Sequence, residues 1–213
     1  MKGKFVTIEG CEGVGKSTQL RLLKEYCETR GINALFTREP GGCELSEKIR
    51  GVILDPQNSE MSDMTELLLY CAARSQHTET VIKPALENGI TVFCDRYSDS
   101  TAAYQGYARG IDVSTVEALN RAAMCGIKID CTVFIDVPPD KGFARKGGAK
   151  QTDRLERETL EFHRKVYDGF KAIISREPER FLCFKAEGTK YETHAQIVEA
   201  LAKRGVFGKS TGE

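Results

Sequence analysis

Gly10-Cys11-Glu12-Gly13-Val14-Gly15-Lys16-Ser17 spaces three glycines, a lysine and a hydroxyl as G-x-x-x-x-G-K-[ST]. In that pattern a glycine-rich backbone turns its N–H groups inward around the phosphates of a nucleoside triphosphate. Lys16 supplies a mobile cation for the outer phosphates, and the Ser17 hydroxyl is placed to ligate Mg2+. The plain alternative is a glycine turn between a strand and a helix, but such a turn has no need of Lys-Ser directly after its last glycine. Gly10 through Thr18 therefore predict ATP-type binding and leave open what is done with the nucleotide.

The other residues suited to chemistry are mostly cations. Phosphoryl transfer needs positive charge around the migrating group and little covalent chemistry from the protein. Arg38, Arg50 and Arg96 could each bind an anionic acceptor, or each be a surface arginine. Asp95 is either a buried ion-pair partner or a carboxylate within reach of Mg2+ or its waters. Residues 143–152 hold Arg145, Lys146 and Lys150, two glycines and no acid. Such a run is ordinarily a solvated loop. Beside a phosphate loop it could be a lid that excludes water and brings a cation to the transition state.

For these residues to meet, the fold must deliver them to one edge. The apolar run 4–9 predicts a buried strand before the loop. Leu20, Leu23 and Tyr26/Cys27 predict a helix after it, closed by Gly31. Runs at 34–37, 90–95, 131–136 and 181–184 predict four more strands. Leu45, Ile49 and Val52/Ile53 share one predicted helix face. Asp63-Met-Thr-Glu66 reads as a capping box opening a helix to about Gln76, with Leu67 to Leu69 in the core. Pro84 predicts a kink or restart in the helical piece that follows. Further helices are expected within 98–107 and 115–124, from Pro138, across 153–175 and over 191–203. Strands alternating with helices indicate an α/β fold, a parallel sheet covered on both faces with ligands at the strands' carboxyl ends. Gly10, Thr37/Arg38, Asp95/Arg96 and Asp136 all fall at such ends.

Bulk properties narrow the class. The 213 residues predict one domain over 1–207 and a polar tail, 208–213, expected to be disordered. Lys+Arg and Asp+Glu both number 31, so no net field favours nucleic acid or an anionic membrane. No apolar run approaches the roughly 20 residues that span a bilayer. No signal-peptide pattern precedes the first strand, and the eight cysteines form no C-x-x-C. These features predict a cytoplasmic protein whose thiols are reduced, buried hydrophobes, with no zinc site.

Three further motifs complete a resemblance. Thr37-Arg-Glu-Pro-Gly-Gly42, Asp95-Arg-Tyr97 and Ala103-Tyr-Gln-Gly106, in order after the phosphate loop, resemble bacterial thymidylate kinases from Phe5 to about Ile174. The resemblance implies a three-layer P-loop kinase fold with a five-stranded parallel sheet and a lid at about 143–154. It implies phosphorylation of dTMP to dTDP with ATP and Mg2+, a step in dTTP synthesis, by a homodimer. Residue by residue, it implies that Tyr70 stacks on thymine, where the family usually has Phe, and that Arg74 hydrogen-bonds the base. It places Thr101 and Gln105 near the base edge and Tyr104 against the sugar 2′ position. On pattern alone, Tyr104 and Gln105 read as ordinary helix-surface residues. It sets Arg38, Arg50 and Arg96 around the dTMP phosphate and sugar, and Glu12 at the 3′-hydroxyl. The loop carries no basic residue between Gly10 and Gly15, which moves the search for a catalytic cation to Arg145 or Lys150, with Arg154 a further option.

Two other functions fit the loop. One is a P-loop kinase for another nucleotide or nucleoside, separated by the Tyr70/Arg74/Gln105 set. The other is a non-catalytic ATP-dependent regulator. A guanine-reading N-K-x-D is absent, and neutral charge disfavours a nucleic-acid motor.

Overall fold

β-Branched and aromatic residues crowd the five apolar runs, and each run becomes a strand. They are β1 (Phe5–Glu9), β2 (Ala34–Arg38), β3 (Thr91–Asp95), β4 (Cys131–Ile135) and β5 (Phe181–Phe184). In the computed structural model, which describes residues 3–146 and 153–207, all pair in parallel in the order β2-β3-β1-β4-β5. After β1 the chain goes outward to β2, returns to β3, then crosses to β4. The loops after β1, β3 and β4 therefore part around a crevice at the carboxyl edge of the sheet. Register fixes the neighbours there: Ile8 lies opposite Asp95, and Asp95 opposite Arg38.

The helices are α1 (Lys16–Thr29), α2 (Glu44–Leu54), α3 (Asp63–His77), α4 (Lys83–Glu87), α5 (Ser98–Thr101), α6 (Val113–Ala123), α7 (Pro139–Lys146), α8 (Leu160–Arg176) and α9 (Lys190–Lys203). On one face of the sheet Leu23 and Cys27 of α1 and Ile197 and Leu201 of α9 bury Val6, Ile8, Phe93 and Val133. On the other, Leu67, Val116, Val166 and Phe170 pack with Phe134. Both faces are covered, so β1 and β4 are buried along their whole length.

Several local expectations are corrected. Ser62 caps α3, its Oγ accepting from Thr65 N, and Glu66 turns inward rather than back to the cap. The reciprocal capping box occurs instead at α9, between Thr189 and Glu192. The restart expected at Pro84 is present: α3 runs into a π-helical turn, Thr78–Ile82, and the proline enters in the first turn of α4, where no N–H is needed. The helix expected from 153 begins only at Leu160, capped by Thr159 Oγ1, because residues 153–159 turn along the crevice. Leu68 is about half exposed rather than core, and Leu45 and Val52 on the predicted face of α2 are exposed to the same extent. All eight cysteines are free thiols, but Cys183 is exposed and Cys43 and Cys125 only half-buried. No described helix is long and apolar enough to cross a membrane. The tail 208–213, Lys150 and residues 147–152 of the expected lid lie outside the described residues.

Candidate active site

The crevice holds a cavity of about 490 Å3. The phosphate loop forms one wall. Its turns are possible because Gly10, Gly13 and Gly15 take φ of 145°, 71° and 103°, values that side chains disfavour. Glu12 to Thr18 line the cavity, whereas Cys11 is buried beneath, its thiol pushed up to about 12 by burial. Lys16 Nζ donates back to Gly10 O (3.0 Å) and Cys11 O (2.7 Å). Burial first, then the charge of Arg96, lowers its pKa. Among the described residues no carboxylate is hydrogen-bonded to it, so an incoming anion would displace only carbonyls. Gly142 of α7 meets the loop so closely that a Cβ there would collide with Glu12 O.

The turn after β3 forms the floor. Arg96 adopts φ 65°, a left-handed conformation rare outside glycine. Glu9, at the end of β1, holds this turn: Oε1 accepts from Tyr97 N (2.8 Å) and Oε2 from Ser100 Oγ (2.6 Å). Ser100 Oγ in turn accepts from Arg96 Nη1 (3.0 Å), and Arg96 Nη2 donates to Glu12. Burial, then the charge of Asp99, raises the Glu9 carboxyl to about 7. Asp95 Oδ1 is buried and receives no hydrogen bond from any described residue. Asp95 and Ser17 line the same cavity, and a carboxylate oxygen with no described donor together with a hydroxyl is a ligand set that suits a hard cation such as Mg2+.

The far wall comes from α3, α5 and a π-helical segment, Ala102–Ala108. Tyr97, Ser100, Thr101, Tyr104 and Gln105 fall at i, i+3, i+4, i+7 and i+8, and all line the cavity. π-Helical turns recur at functional sites because they re-aim side chains without ending a helix. Tyr104 and Gln105 are buried, which corrects the surface reading that pattern alone gave. The Tyr104 hydroxyl has no partner among the described residues, and Arg96 Cζ sits 5.3 Å from its ring centroid.

Arg74 is 1% exposed and held on three sides. Nε donates to Glu39 Oε2 (2.8 Å), Nη1 to Asn120 Oδ1 (2.5 Å) and Nη2 to Thr101 Oγ1 (2.8 Å). His77 Nδ1 donates to the other Glu39 oxygen (3.0 Å). Three of the five guanidinium N–H groups are thereby used. Tyr70, one turn before Arg74, also lines the cavity. Arg38 reaches it while paired with both Glu47 oxygens (3.0 Å each), and Arg50 while donating to Pro40 O (2.8 Å).

The cations expected on the lid are placed apart. Arg145 Nη2 donates to Ala186 O (2.7 Å) and borders a second cavity of about 310 Å3 with Gly15, Thr18 and Gln19. Arg154 donates to Glu66 and Ile53 O instead of entering the cavity. Asp153, beside it, does line the cavity, its carboxyl raised by burial. Glu9, Glu39, Glu66 and Asn120 were not legible as site residues. Glu9 offered one signal, an acid closing an otherwise apolar strand.

A five-stranded parallel sheet with a phosphate loop at its switch point and a second polar wall across the same cavity defines a P-loop kinase. A family model described as thymidylate kinase matches residues 8–197. The chain is 47% identical over 209 residues to the thymidylate kinase of Geobacter sp. (strain M21), covering 95% of this chain and 92% of that one. It is 45% identical over 206 residues to that of Desulfosudis oleivorans, covering 93% and 96%. The crystal structure of thymidylate kinase from Ehrlichia chaffeensis superposes with a TM-score of 0.77 at 34% identity, covering 95% of this chain and 99% of that one. The chain belongs to the thymidylate kinase family.

Proposed function

We propose that this protein transfers the γ-phosphoryl group of ATP to dTMP, giving dTDP and ADP, a reaction that supplies dTTP synthesis. One observation carries the reading: the phosphate loop and the Tyr70/Arg74/Gln105 wall border a single cavity, with Arg96 between them. Tyr70 offers a ring for the base to stack on, Arg74 its remaining N–H groups for a carbonyl, and Thr101 and Gln105 the base edge. Tyr104 crowds the sugar. Glu12, aligned by Arg96, accepts from the 3′-hydroxyl, while Arg38, Arg50 and Arg96 bind the acceptor phosphate.

On the donor side Lys16 exchanges two carbonyls for phosphate oxygens, and the second cavity beyond Gly15 and Thr18 takes the donor nucleoside. Mg2+ would be held by Ser17 and Asp95, directly or through water, and when bound would neutralise charge on the outer phosphates. Arg145 or Lys150 supplies the lid cation. Leu45 and Val52 on α2 and Met64 and Leu68 on α3, two helices packed together, expose apolar side chains consistent with a homodimer. The protein acts in the cytoplasm. A coupled ADP-release assay with ATP, Mg2+ and dTMP, dUMP, dCMP, dGMP or AMP tests the reading. dTMP is expected to be the best acceptor, and a different best acceptor refutes it.

A further inference from the structure

Glu66 precedes Tyr70 by one turn of α3 and Arg74 by two, on the same helix face. It is fully buried, a position that acids occupy only when paired. Its Oε1 accepts from Gln105 Nε2 (2.7 Å) and Arg109 Nε (3.3 Å). Its Oε2 accepts from Arg109 Nη2 (3.2 Å) and from Arg154 Nη2. Burial pushes the carboxyl upward, but the hydrogen bonds and charges of Arg109, Gln105 and Arg154 outweigh it and leave the pKa below the ordinary value. At neutral pH Glu66 is thus a carboxylate, a group that only accepts.

A primary amide facing such a group has no choice of orientation. Gln105 must turn its NH2 end to Glu66, which leaves the carbonyl oxygen on the other branch for the cavity that Gln105 lines. At 1% exposure the amide reaches solvent only on its cavity side. From this geometry we infer that Glu66 is a positioning residue that sets base specificity. By locking Gln105 oxygen-first, it makes that wall read a ring N–H, as in the imide of thymine or uracil. The bare ring nitrogen of cytosine then meets an acceptor instead of a donor. The inference rests on the acceptor reading proposed above and assigns its specificity to a residue outside the cavity.

The test compares kcat/KM for dTMP, dUMP and dCMP in the wild type and Glu66→Gln. Glutamine at 66 can present either a donor or an acceptor, so the Gln105 amide becomes free to turn. The dTMP:dCMP ratio is expected to fall by about tenfold or more, while the dTMP:dUMP ratio, between two imide bases, stays within about twofold. Arg109→Lys perturbs the same carboxylate without touching the Gln105 bond and is expected to keep the wild-type ratios. If Glu66→Gln does not fold, Glu66→Asp keeps the charge for both arginines, draws the carboxylate back from Gln105, and is expected to show the same shift. An unchanged dTMP:dCMP ratio in the variant that folds, or an equal shift in Arg109→Lys, overturns the inference. A wild type that does not prefer dTMP to dCMP fails differently, removing the acceptor reading itself and the inference with it.

Discussion

Across the cavity, the acceptor wall and the loop wall hold their cations in different ways. Arg74 is locked by Glu39, Asn120 and Thr101, and Arg96 is tied to Ser100 and Glu12. Among the described residues, Lys16 and Arg145 donate to backbone carbonyls only. A buried guanidinium–carboxylate network fixes geometry before a ligand arrives and so lowers the ordering cost of binding. A carbonyl is a weaker partner than a phosphate oxygen, so a cation parked there is readily exchanged. The acceptor half is therefore built in advance, and the donor half keeps its cations in reserve.

The comparison breaks most visibly at Arg74. Arg74→Leu leaves Glu39 buried without its counter-charge, a loss of about 3–5 kcal/mol. For a chain of this size that lowers Tm by roughly 8–15 °C in calorimetry. Lys16→Ala should do the opposite, costing about 10³-fold in kcat with little change in Tm, because it removes a desolvated cation with no ion pair among the described residues. A large loss of stability in Lys16→Ala would erase the distinction between the halves.

Arg145→Ala sharpens the donor side. It is expected to lower kcat by about 10²-fold with little change in dTMP KM, as befits a contact made only in the transition state. Equal, small losses from Arg145→Ala and Lys150→Ala would remove the lid from the reaction. The smallest effect is a pH dependence set by Glu9. Its carboxyl rises from 4.5 to about 7 on folding, so between those values the folded chain holds a proton that the unfolded chain has released. Stability should decline as pH rises through that window, and Glu9→Gln should flatten the profile in urea titrations at pH 5 and 8.

The sheet was legible because its strands are short apolar runs between turn residues, and the loop because its chemistry is local in sequence. Pattern could not find the pairings that prepare the acceptor wall. Glu66 meets Gln105 and Arg154 from 39 and 88 positions away. Glu39 meets Arg74 across 35. In each case the signal is a buried charge, and burial depends on the tertiary fold. Tyr104 and Gln105 looked exposed for the same reason: a helical stripe does not say which face another element covers. The resemblance placed them at the site, and the packing of α8 over the π-helical segment explains why they are buried. Residues 153–159 failed in the other direction. Their apolar Leu155 fits a helical period, yet the chain turns there so that Asp153 and Leu155 reach the cavity.

The most direct test of a prebuilt acceptor half is calorimetric titration of dTMP into the protein with no ATP or Mg2+ present. The account predicts that dTMP binds under these conditions, that dCMP binds at least about tenfold more weakly, and that Arg145→Ala leaves both affinities unchanged. Binding of dTMP that appears only after a donor nucleotide is added would contradict it.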